Sequence, residues 1–176
     1  HRLAPYRRIL DVGGGAGAFL IEAARRWPDF TGTVVDLPPV VALAAARITE
    51  AGLAHRLDTA GLDFRSQPLP AGADLITLIR ILHDHDDAVV DALLSAAHAA
   101  LPPGGRLLVA EPMADTTGAE PMGGAYFGFY LLAMGKGRPR SPKDLMQRLR
   151  TAGFTSVRLL PAHNPLQARV ILASRS

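Results

Sequence analysis

Apolar residues along this chain alternate between two periods. Residues 7–12, 31–37, 74–82 and 106–112 form short apolar runs of strand length, and "DLITLIRIL" (74–82) is nearly continuous, as expected of a central strand buried on both faces. Between them the apolar positions recur at helical spacing. Phe19, Leu20, Ala23, Ala24 and Trp27 predict a helix over 17–27, which Pro28 stops. Pro38 and Pro39 open a second helix reaching about Ala51, with Gly52 beyond it. A third runs from about Asp86 to Leu101 and ends at "PPGG" (102–105). Ser141 is placed to cap a fourth, with Pro142 at its first position and Gly153 past its end at Ala152. Residues 56–64 read as a weaker strand, 121–135 as an aromatic, partly helical segment, and 156–161 and 167–174 as two closing strands.

Strands that alternate with helices predict an α/β fold: a mostly parallel, seven-stranded, Rossmann-like sheet with helices on both faces. The last two strands are joined only by a short loop containing Asn164 and Pro165, too short for a crossover helix, so they pair antiparallel. A closing antiparallel hairpin is unusual in a dinucleotide-binding sheet.

Length and composition narrow the class. A chain of 176 residues, 48% hydrophobic and 20% charged, is one globular domain without linker or repeat. It has no cysteine, which excludes disulfides and thiolate metal sites. No apolar run is long enough for a bilayer and no leader is visible, so a cytoplasmic location is expected. The net charge is +3, yet the only lysines are Lys136 and Lys143, and the arginines are scattered. They read as solvated surface and helix-end charges, not as a nucleic-acid stripe.

Candidate chemistry begins at "ILDVGGGAGAFL" (9–20). A glycine-rich turn after a strand brings backbone amides close to a ligand. As Gly13-x-Gly15-x-x-Ala18 it fits the dinucleotide fingerprint; as Asp-Val-Gly-Gly-Gly-x-Gly it looks like the first loop of an S-adenosylmethionine (SAM) methyltransferase. Asp36 ends the second strand, where a carboxylate can accept ribose hydroxyls. Asp63 and Phe64 end the third, where a carboxylate and a flat apolar face suit adenine. Three consecutive strand ends of this kind point to an adenosine ligand.

"LDVGGGAG", "VVDLP", "GLDF", "ILHDHDD", "LPPGGRLLVAEPM" and "RSPKDLMQRLRTAGF" occur in the order and spacing of the plant-and-bacterial O-methyltransferase family, which the chain resembles over nearly its whole length. The resemblance implies that SAM is the cofactor, leaving as S-adenosylhomocysteine, and that Asp11, Gly13, Gly15, Asp36, Leu37, Asp63, Phe64 and Arg80 surround it. Many members carry a lysine where this chain has Ile79, beside Arg80. The resemblance makes His83 the general base and Glu111 the carboxylate that orients it. The family's second supporting glutamate falls at Pro139 and is missing here. Two histidines and three acids in "HDHDD" also offer metal donors, but side chains of an extended segment point to opposite sides and no metal is expected.

The resemblance further assigns Met113, Phe127, Tyr130 and Met134 to the wall of the acceptor pocket. This wall is almost wholly apolar, which implies a lipophilic hydroxylated acceptor. "EPM…AYFGFYLLAM…GRPRSP" is similar to carotenoid O-methyltransferases that act on the tertiary 1-hydroxyl of hydroxyneurosporene or demethylspheroidene. A phenolic or polyketide acceptor is the alternative within the family. An NAD(P)-binding oxidoreductase domain or a non-catalytic SAM-binding domain are the alternatives outside it. Family members carry an N-terminal dimerisation domain, so residues 1–176 are expected to be the catalytic domain of a longer homodimeric protein, peripheral to a membrane only through its substrate.

Overall fold

The computed structural model describes residues 6–115, 137–162, 164 and 168–176. The expected segment 121–135, with Phe127, Tyr130 and Met134, lies outside the described residues. The elements follow in the order β1 (Arg8–Val12), α1 (Ala18–Arg26), β2 (Thr31–Asp36), α2 (Pro38–Glu50), β3 (Leu57–Gly61), β4 (Leu75–Ile79), a 3-10 turn (Leu82–Asp84), α3 (Asp87–Ala100), β5 (Arg106–Glu111), α4 (Pro142–Thr151), β6 (Thr155–Leu160) and β7 (Arg169–Ser174).

The strands make one sheet in the order β3-β2-β1-β4-β5-β7-β6. The pairs from β3 to β5 are parallel, and β7 runs antiparallel to both β5 and β6. The expected closing hairpin is therefore present, and its second strand is inserted between β5 and β6. Strand order reverses between β1 and β4, which places a ligand crevice at the carboxyl ends of these strands.

Side-chain alternation across the sheet makes two cores. Ile9, Val34, Leu57 and Leu75 pack under α1 and α2. Leu10, Val12, Ile76, Leu78, Val109 and Ile171 pack under α3 and α4. Central strand β4 is buried on both faces. The Ser141 cap forms as expected: its hydroxyl accepts from the Asp144 N–H at 3.2 Å. One expectation fails. The segment after β4 is not extended, because Arg80 takes a left-handed conformation (φ 55°) and the chain coils into the 3-10 turn.

Candidate active site

The glycine loop leaves β1 beside β2 and β4. Gly13 sits at φ +70°, and a Cβ on it would lie 2.6 Å from Ile81 Cδ1, so only glycine lets the loop close onto the segment after β4. The loop's own amides turn inward. Gly13 and Gly14 N–H donate to Val35 O at 2.8 and 3.3 Å, Gly17 N–H to Gly14 O at 3.0 Å, and Gly15 N–H to Asp36 Oδ2 at 2.9 Å. The expectation that these amides face a ligand is corrected: four of them are satisfied within the protein and cannot also cradle a pyrophosphate.

What the site offers is carboxylate. Asp36 is half-buried, with Oδ1 accepting from the Leu37 N–H at 2.8 Å, and Leu37 itself is exposed. Asp11 is buried beneath the loop, where its Oδ1 accepts from Thr77 Oγ1 at 2.6 Å across the β1–β4 register. Burial pushes the Asp11 carboxyl up to about 7, against the Thr77 hydrogen bond and with added repulsion from Asp36. Asp11 thus ties β1 to β4 beneath the loop.

Asp63 and Phe64, the expected adenine contacts, lie just past β3. Leu62 N–H donates to Asp36 O at 2.9 Å, which brings Asp63 and Phe64 next to Asp36. Asp63 is gripped by the Arg65 guanidinium at 2.9 and 2.7 Å, and these hydrogen bonds hold its carboxyl down at about 2. Phe64 meets His85 edge-on, with ring centroids 5.4 Å apart. His85 is half-buried, and burial lowers its basicity. His85 therefore joins Phe64 to the turn carrying His83.

His83 and Glu111 come together at the heart of this edge, both buried. His83 Nδ1 lies 2.6 Å from Glu111 Oε2, and Nε2 lies 3.2 Å from Asp84 Oδ1. Glu111 Oε1 also accepts the Ile81 and Leu82 N–H groups, each at 2.7 Å. One carboxylate at the end of β5 thus fixes both the imidazole and the backbone that carries it. Arg80 is exposed at the same edge, its N–H on Ala110 O at 2.9 Å. Met113 is buried in the core under α3 and α4. Among the described residues no three His, Asp or Glu side chains converge as a metal site.

The sequence reading missed Arg140. It is 2% exposed, not solvated, and its guanidinium reaches Leu82 O, His85 O and Asp87. The helix-end role does hold elsewhere: Arg56 bonds carbonyls at the end of α1, and Arg175 those at the end of α3.

Residues 1–155 match the family of O-methyltransferase domains. The chain belongs to this family. It is 45% identical over 169 residues to demethylspheroidene O-methyltransferase of Rhodobacter capsulatus, covering 96% of this chain and 42% of that protein. It is 43% identical over 163 residues to 3-hydroxy-5-methyl-1-naphthoate 3-O-methyltransferase of Streptomyces sahachiroi, covering 93% and 47%. The crystal structure of human N-acetylserotonin methyltransferase in complex with SAM superposes with a TM-score of 0.85 at 30% identity, covering 97% of this chain and 48% of that one. The chain spans about half the length of the O-methyltransferases it matches. The residues present fit the SAM of this family: Asp36 puts a carboxylate suited to a ribose diol at the end of β2, and with four loop amides engaged within the protein there is no open amide cradle for a dinucleotide's pyrophosphate. No helix among the described residues is long and apolar enough to cross a membrane.

Proposed function

We propose that this chain is the catalytic domain of a SAM-dependent O-methyltransferase in which His83 is the general base. The observation that carries this reading is the buried His83–Glu111 pair, set beside the glycine loop at the carboxyl edge of the sheet. Asp36 would hold the ribose hydroxyls, and Phe64 with His85 would flank the adenine. When bound, SAM supplies an electrophilic methyl group on a sulfonium. The protein then has to aim a hydroxyl at that methyl and remove its proton. Positioning accounts for most of such a rate, and a base adds roughly 10²–10⁴-fold. His83 Nε2 takes the proton while Nδ1–H stays on Glu111, so the imidazolium formed is held in place.

The acceptor is a lipophilic alcohol, and a hydroxycarotenoid fits best. The match to a demethylspheroidene O-methyltransferase supports this, as does the apolar stretch 125–134. A tertiary alcohol is weakly acidic, so His83 takes its proton as the methyl arrives and not beforehand. A phenolic or polyketide acceptor is the second reading, favoured by the naphthoate O-methyltransferase match. The whole protein would be a homodimer through an N-terminal domain, acting in the cytoplasm and meeting membranes only through its substrate. The full-length protein with labelled SAM, offered hydroxyneurosporene and a naphthol in parallel, should label the carotenoid. Label on the naphthol alone would overturn the carotenoid reading.

A further inference from the structure

The turn bearing His83 is gripped from two sides. Glu111 holds its N–H groups at Ile81 and Leu82. Arg140 holds its carbonyls: Nη1 donates to Leu82 O at 2.7 Å and Nη2 to His85 O at 2.8 Å, the residues on either side of His83–Asp84. The same guanidinium is anchored by Asp87 Oδ1, at 3.0 Å from Nε and 2.7 Å from Nη2. Its own carbonyl accepts the Ala114 N–H at 3.1 Å, just past Glu111 on the exit from β5. Close packing completes the strap, because a Cβ on Gly137 would lie 2.2 Å from His83 O.

We infer that Arg140, anchored by Asp87, is a positioning residue for His83. It touches no reacting atom. The contacts of Arg140 are to the backbone on either side of His83, so it steadies the imidazole through the turn that carries it. A planar guanidinium reaches these two carbonyls and the carboxylate from three separate nitrogens, a spread that the single nitrogen of an ammonium does not reproduce. This inference rests on the reading of His83 as the base.

The test is a double-mutant cycle on the full-length enzyme: R140K, H83A and the pair, with D87N as a variant that loosens the anchor without emptying the buried site. In R140K, kcat should fall about 10-fold with the KM for SAM and the affinity for S-adenosylhomocysteine within about 2-fold of wild type, and D87N should shift kcat the same way by less. The R140K loss should vanish in the H83A background, because the residue acts through the imidazole. In ¹⁵N-histidine spectra the His83 Nδ1–H signal should broaden in R140K, as its bond to Glu111 loosens. An R140K enzyme with wild-type kcat beside an impaired H83A, or an R140K loss that persists undiminished in H83A, would overturn the inference alone. A wild-type rate in H83A would overturn it together with the base assignment.

Discussion

His83, Asp36 and Asp11 each make a separate claim at the scale of the residue. His83→Ala should lower kcat by roughly 10²-fold or more in a methyl-transfer assay while S-adenosylhomocysteine binding, followed by calorimetry, stays close to wild type. Asp36→Ala should do the reverse and weaken that binding at least about 10-fold, because it removes both the proposed ribose acceptor and the tie to Gly15. Asp11 predicts a pH dependence of stability. Folded, its carboxyl titrates at about 7, whereas an unfolded aspartate titrates near ~3.9. Between these values the folded chain holds the extra proton, so the Asp11 contribution to stability falls as pH rises from about 4 to 7 and then levels off. His85, held less basic than usual, contributes with the opposite sign below its ordinary range. Melting temperatures of wild type and Asp11→Asn, taken from pH 5 to 8, separate the two, and the variant should gain on wild type as pH rises. At this scale the sequence was legible where type and place coincide, as for Asp36 at a strand end and His83 after β4. It was not legible where a partner far along the chain decides the role. Nothing in "GRPRS" marks Arg140 as buried, and nothing in "DVGGG" says that the loop amides face inward.

Elements were the most legible scale. Strand β4 and the helices follow from period, and Pro38, Gly52 and Gly153 punctuate them as expected. The closing hairpin followed from the brevity of one loop. The 3-10 turn did not, because "LHDHD" carries no period and the bend at Arg80 depends on Glu111 collecting two amides from it. Asp86 and Asp87 fit the start of α3, yet Asp86 makes no side-chain cap, and Asp87 serves arginines 138, 140 and 148. Those hydrogen bonds hold the Asp87 carboxyl well below the usual carboxylate range. Ser141→Ala should cost about 1 kcal/mol in chemical denaturation, by loss of the α4 cap.

For the whole molecule, sheet order is what turns a list of motifs into a site. The reversal between β1 and β4 sets the glycine loop against Ile81, and the neighbouring β5 brings in Glu111. Local pattern cannot specify which strands are neighbours, although right-handed crossovers restrict the choice. This crevice takes SAM and its product in place of a dinucleotide, and the first measurement to make is calorimetric titration of the chain with S-adenosylhomocysteine and, separately, with NADH. Heat of binding with S-adenosylhomocysteine and none with NADH is the predicted result; saturable binding of NADH alone would contradict the account from the glycine loop to His83.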